Sequence, residues 1–114
     1  MSIQISQTGT RQTFFSKPSD TNAATVYTVS SGVVRAVLES VNIAATGAAN
    51  ATVWLNDGST DWLLLDAKTL SANTNNVETF GEPVLRSGHS IKVKTSSANN
   101  LTFTVTLIEE LRPA

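Results

Sequence analysis

The feature that most constrains this chain is the run Leu101-Thr102-Phe103-Thr104-Val105-Thr106-Leu107, where apolar residues and threonines alternate without a break. Successive side chains of an extended strand point to opposite faces, so the four apolar residues share one side and the three threonines the other. Such a strand lies with one face on a core and one face outward. It cannot be a helix, whose apolar positions recur every three or four residues. Ser90 to Thr95 repeats the theme, with Ile91 and Val93 inward and Lys92 and Lys94 outward. Between the two, Ser96-Ser97-Ala98-Asn99-Asn100 is turn chemistry and predicts a hairpin.

The same period recurs upstream. Ala24 to Val29 and Val33 to Ile43 read as strands around Ser30-Ser31-Gly32. In the second, the alternation Val34, Ala36, Leu38 slips by one to Val41, Ile43, which predicts a β-bulge or a corner near Glu39-Ser40. Thr46 to Asn50 turns the chain, Ala51 to Leu55 is a strand, and Asn56-Asp57-Gly58-Ser59 is a strong turn signal. Thr60 to Asp66 follows with the apolar block Trp62 to Leu65, then a polar stretch from Thr69 to Asn76 and a short strand from Val77 to Phe80. Pro83-Val84-Leu85 leads into Arg86-Ser87-Gly88-His89, a turn whose glycine can take a positive φ. Seven to eight short strands at this spacing predict a single all-β domain, an antiparallel β-sandwich of jelly-roll-like form, over residues 23–114.

Residues 1–22 read differently, as an extended N-terminal arm. Met1 to Ile5 could pair as a strand. Gln7 to Asn22 is polar and threonine-rich, interrupted by Phe14-Phe15 and Lys17-Pro18. Two adjacent aromatics in an extended segment point to opposite sides, so one can pack under the domain while the other faces outward or reaches a neighbouring chain.

Composition narrows function mainly by exclusion. The formal charge is −1, which provides no electrostatic footprint for nucleic acid or anionic lipid. No apolar run reaches the ~18–20 residues of a membrane helix, and the N-terminus lacks the pattern of a secretory signal. Cysteine is absent, which excludes disulfides and thiolate metal sites and fits folding in a reducing cytoplasm. Ser, Thr and Asn supply 38 of 114 residues while only 15% are charged, a polar but weakly charged surface of the kind that neighbouring proteins cover.

Candidate chemistry is thin. The single histidine, His89, lies in a turn where exposure is the default. Asn56, Asp57 and Asp61 could line a calcium loop, but Asp57-Gly58 is first a hairpin turn, and the EF-hand pattern is missing. No phosphate-binding glycine loop or nucleophile elbow occurs. No catalytic residue, metal site or cofactor is expected, and the chain reads as non-enzymatic. Trp54 alternates with Val53 and Leu55 and so faces away from them, either exposed or on a second buried surface. An exposed strand Trp more often marks a protein interface than a sugar site. Phe14, Phe15 and Trp54 are therefore the expected contact anchors. Trp54 and Trp62 together would suit a carbohydrate-binding module if their rings were exposed and coplanar.

The order Thr25 to Val29, the long strand ending in Ile43-Ala44-Ala45, Ala51 to Leu55, the block Glu82 to Lys94 and the terminal Leu101 to Glu110 resembles small β-sandwich proteins encoded among the structural genes of tailed bacteriophages. His89 departs from the acidic residue expected in that block. The resemblance covers residues 24–110 and implies a virion component made in the host cytoplasm. Foremost is a capsid cement or decoration protein that bridges major capsid protein subunits as a trimer or dimer. A neck, tail or fibre-associated adaptor is the alternative. It implies no nucleic-acid or membrane partner.

Overall fold

The computed structural model describes residues 9–113. Nine strands follow in order: β1 (Gly9–Ser16), β2 (Ala24–Thr28), β3 (Val33–Ala45), β4 (Ala49–Asn56), β5 (Asp61–Leu70), β6 (Thr74–Glu78), β7 (Val84–Leu85), β8 (Ser90–Thr95) and β9 (Leu101–Leu111). They form two antiparallel sheets. The five-stranded sheet runs β1-β9-β3-β6, with β7 also on β3; the four-stranded sheet runs β2-β8-β4-β5. The chain changes sheet at most connections, and the interleaved order is that of a jelly roll. The all-β sandwich expected from the alternation is the fold observed.

The core is what the alternation predicts. Leu101, Phe103, Val105 and Leu107 of β9 are fully buried, as are Leu38, Val41 and Ile43 of β3 and Ile91 and Val93 of β8. The slip near Glu39-Ser40 is a register shift between Leu38 and Ser40 along the β3–β9 ladder. The extra residue lets Leu38 and Val41, three positions apart, both face inward. In β5, two further shifts against β4 resolve the unbroken apolar block. Leu64 and Leu65 pack on the core while Trp62 and Leu63 stay exposed.

The expected β8–β9 hairpin is not formed. β8 pairs with β2 and β4, whereas β9 pairs with β1 and β3 in the other sheet. Residues 96–100 arch from sheet to sheet instead. A hairpin would set the two apolar faces side by side, and an arch stacks them face to face; the alternation is identical in both. The arch is held locally: Asn99 takes φ +62°, Thr95 Oγ1 donates to the Ser97 carbonyl at 2.8 Å, and Asn100 Nδ2 donates to the Ala48 carbonyl at 3.1 Å. Gly88 has φ +86°, as the turn before β8 requires.

Within the stretch read as an arm, Gly9–Ser16 is an edge strand on β9, so residue 22 is not where the sandwich begins. Its inward side carries Gln12, Phe14 and Ser16, opposite Leu107, Val105 and Phe103. A mostly polar inward side gives no apolar alternation, which is why the strand is hidden in the sequence. Residues 17–23 then cross to β2, with Pro18 buried and its carbonyl accepting from Asn99 N at 2.9 Å. The expected pairing of Met1 to Ile5 lies outside the described residues.

Tyr27 ties the sheets together. Its hydroxyl donates to Glu109 Oε2 at 2.5 Å, and its ring lies 4.8 Å from that of Phe14. Burial, then the hydrogen bond to Glu109, pushes the phenol well above its ordinary value. The folded state therefore holds this proton more tightly than the unfolded chain. That contribution is complete below pH ~10 and is lost as pH rises beyond it. Denaturant titrations across pH 8–11 should show native stability falling more steeply than that of Tyr27→Phe, which lacks the titrating group. Truncation of Phe103 to Ala, at the centre of the core, should cost about 3–5 kcal/mol in the same assay.

Candidate partner-binding surfaces

The outer face of the five-stranded sheet is set by register. Phe15 of β1 lies opposite Thr104 of β9, Thr104 opposite Asn42 of β3, and Asn42 opposite Val77 of β6. These four form one row across the sheet, with exposed apolar residues at its ends: Phe15 is 71% and Val77 66% exposed. The flanking rows hold Thr13, Thr106 and Ser40 on one side and Thr102, Ala44 and Asn75 on the other, so the three rows contain no charge. Further along come Arg11, Ile108, Val37 and Val84 in one row, then Glu110 and Arg35.

The charges that do occur here are paired. Arg11 meets Glu39 through two hydrogen bonds of 2.8 and 3.0 Å, which hold the Glu39 carboxyl below its ordinary value. Arg35 lies 2.8 Å from Glu110. Such exposed pairs contribute little to stability and leave the face nearly neutral. Asn42 Oδ1 is buried and meets no hydrogen-bond donor among the described residues.

The outer face of the four-stranded sheet carries a second apolar site. Trp54 lies opposite Lys92 on one side and Leu63 on the other. Trp54 is half-buried and Leu63 is 52% exposed. Lys92 is engaged with Asp61 at 3.2 Å, and Asp61 also accepts from Asn56 Nδ2 at 2.7 Å, so the apolar pair is bordered by a neutralised polar cluster. Asn56 and Asn42 thus stand on opposite outer faces of a body whose shortest extent is 20 Å.

The expected anchors divide among three places. Phe14 faces inward, against Tyr27 and the core, and Phe15 faces outward on the five-stranded sheet. Trp54 lies on the far side of the molecule from Phe15, so no single contact can use both. Trp62 lies opposite Leu55 in the β4–β5 register, which assigns it to the other face of the sheet from Trp54. The two indoles provide no common stacking platform for a sugar.

The polar candidates act within the fold. His89 is half-buried rather than exposed, and its Nδ1 accepts from Arg86 N at 3.0 Å, closing the turn before β8. Asp57 Oδ1 accepts from Ser59 N and Thr60 N, and its Oδ2 accepts from Trp62 Nε1 at 2.9 Å. These bonds, that of Trp62 first, hold the Asp57 carboxyl well below the usual range. Its oxygens serve the β4–β5 hairpin. Among the described residues, no group of three or more His, Cys, Asp or Glu is placed to hold a metal ion.

Leu63 and Val77 were not among the expected anchors. Val77 carried no signal, since its strand is polar on both sides: Asn75 and Thr79 flank it on one, and Asn76 and Glu78, opposite Ile43 and Val41, lie on the other. Leu63 carried none either, because an unbroken apolar block shows no alternation, and the β5 shifts that bring both Leu64 and Leu65 onto the core leave no mark in it.

No protein-family model matches the chain, and no curated protein matches it. Two solved structures of infectious bursal disease virus are similar in fold. The VP2 subviral particle is 15% identical with a TM-score of 0.45, covering 91% of this chain and 31% of that chain. The Gx strain structure is 15% identical with a TM-score of 0.42, covering 94% of this chain and 36% of that one. The chain spans about a third of the length of these proteins.

The split between the adjacent phenylalanines is directly testable. Phe14→Ala should lower unfolding free energy by about 2 kcal/mol through lost core contact. Phe15→Ala should change it by less than about 0.5 kcal/mol in dilute solution.

Proposed function

We propose that this protein is a non-enzymatic structural component of a tailed-bacteriophage virion, a cement or decoration protein that bridges neighbouring capsid subunits. The observation that carries this reading is the placement of apolar contact residues on opposite outer faces of one thin sandwich, Phe15 and Val77 on one side and Trp54 and Leu63 on the other. A body with two contact faces can link two neighbours, which a single patch cannot do. Each contact is small, and repetition over a shell multiplies weak contacts into firm attachment. The resemblance of residues 24–110 to virion β-sandwich proteins supports the same reading. The polar groups considered for chemistry are occupied in turns and ion pairs, which favours a binding role over catalysis.

Quantitative mass spectrometry of purified particles tests this. A ratio to the major capsid protein near one, or a simple fraction of it, is expected for a shell-wide cement protein. A few copies per hundred would assign the chain to the neck, tail or fibre, and its absence from particles would end the virion reading. With particles stripped of the protein, Leu63→Asp should weaken rebinding at least about tenfold, because it inserts a charge into the apolar contact.

A further inference from the structure

We propose that the outer face of the five-stranded sheet packs against the same face of a second copy of this chain, around a twofold axis parallel to the strands and midway between β3 and β9. This deepens the bridging reading by naming the neighbour on one of the two faces. It rests on that reading only in treating the face as a contact surface. The dimer itself needs no virion.

The rows of this face are self-complementary about such an axis. Such an axis exchanges β1 with β6 and β9 with β3 and leaves each row at its own height. Phe15 then lies over the partner's Val77 and Val77 over the partner's Phe15, which covers two of the most exposed apolar side chains of the molecule. Thr104 lies over the partner's Asn42, a hydroxyl that donates and accepts facing an amide that does both. Asn42 Oδ1 meets no donor among the described residues, so its present rotamer is not held by a bond to that atom, and rotation toward a donor above the sheet costs it none.

In the remaining rows the central pairs match under the same operation, while Arg11, held by Glu39, lies over the partner's Val84. Thr106 meets the partner's Ser40, Ile108 meets the partner's Val37, and Glu110 meets the partner's Arg35, so acid faces base twice across the axis. Shifting the axis by one strand breaks this arrangement. With the axis on β3, Asn42 faces its own copy, Val77 faces the partner's Thr104, and Phe15 projects beyond the contact.

Size is consistent with a dimer of modest affinity. Four strands about 4.8 Å apart and five rows about 6.8 Å apart describe a plane of roughly 500 Å² per copy. About 1,000 Å² over both copies is the lower limit of a specific interface. Two twisted sheets stacked face to face at about 10 Å, as within a sandwich, satisfy this geometry. The dimer would direct a Trp54–Leu63 face outward from each side and so present the capsid-binding contact twice.

Sedimentation of the purified full chain over a concentration series tests the proposal. A species of twice 12.1 kDa is expected to form as concentration rises through tens of micromolar (about 10–100 μM). Phe15→Glu and Val77→Lys should each raise the dissociation constant at least about tenfold, and both should fold, because both positions are exposed. The double variant Phe15→Glu/Val77→Lys should recover dimerisation, since each new acid then faces a new base on the partner. A chain that stays monomeric up to about 1 mM, corresponding to a free energy weaker than about −4 kcal/mol, overturns the proposal. So does a dimer indifferent to both single variants, or one that the double variant fails to restore. A monomer found in abundance in particles removes the dimer and leaves the virion reading intact. A dimer missing from particles does the reverse.

Discussion

The architecture depends on the antiparallel ladder between β3 and β9. These are the longest strands, they sit at the centre of the five-stranded sheet, and their register runs from Val33–Leu111 to Ala45–Leu101. Together they present Leu38, Val41, Ile43, Leu101, Phe103, Val105 and Leu107 to the opposite sheet, all fully buried. Every other element of that sheet attaches to one of the two: β1 to β9, and β6 and β7 to β3. The pairing joins residues far apart in the chain, so its formation carries a loop-closure entropy that the burial of both strands offsets.

The bulge in that ladder has consequences on both faces. Without the shift at Leu38/Ser40, one half of β3 would present its apolar residues outward. With it, the inner face is continuous, and Glu39 is left on the outside, where Arg11 of the edge strand reaches it. The same device in β5 separates Leu64 and Leu65, which pack on the core, from Leu63, which joins Trp54 on the outer surface. Register irregularities therefore allocate apolar residues between stability and contact. A sandwich with a satisfied core can display residues such as Phe15 and Leu63 because its stability does not require them inside.

Much of the fold was legible in the chain, and the reasons are local. The inward residues of β8 and β9, the bulge in β3, the positive-φ glycine before β8 and the opposite directions of Phe14 and Phe15 all follow from backbone geometry acting over a few residues. β1 was not legible, because Gln12 and Ser16 share its inward side with Phe14. The partner of each strand was not legible either, and the expected β8–β9 hairpin failed for that reason. Of the three expected anchors, Phe15 and Trp54 lie outward, while Phe14 is absorbed into the core beside Tyr27.

The amino-acid sequence by itself determined which side of β3, β4, β8 and β9 is apolar, where most strands end, and that the chain forms an all-β sandwich of modest surface charge. These are consequences of period-two geometry and turn chemistry, which act between near neighbours. Tertiary structure alone decided which sheet each strand joins, that residues 96–100 arch between sheets, and that Phe15, Thr104, Asn42 and Val77 line up across four strands. Alternation is satisfied equally by a hairpin and by an arch, so strand pairing is chosen by the burial of distant faces against each other. The outer rows, and any contact made through them, exist only once that choice has been made.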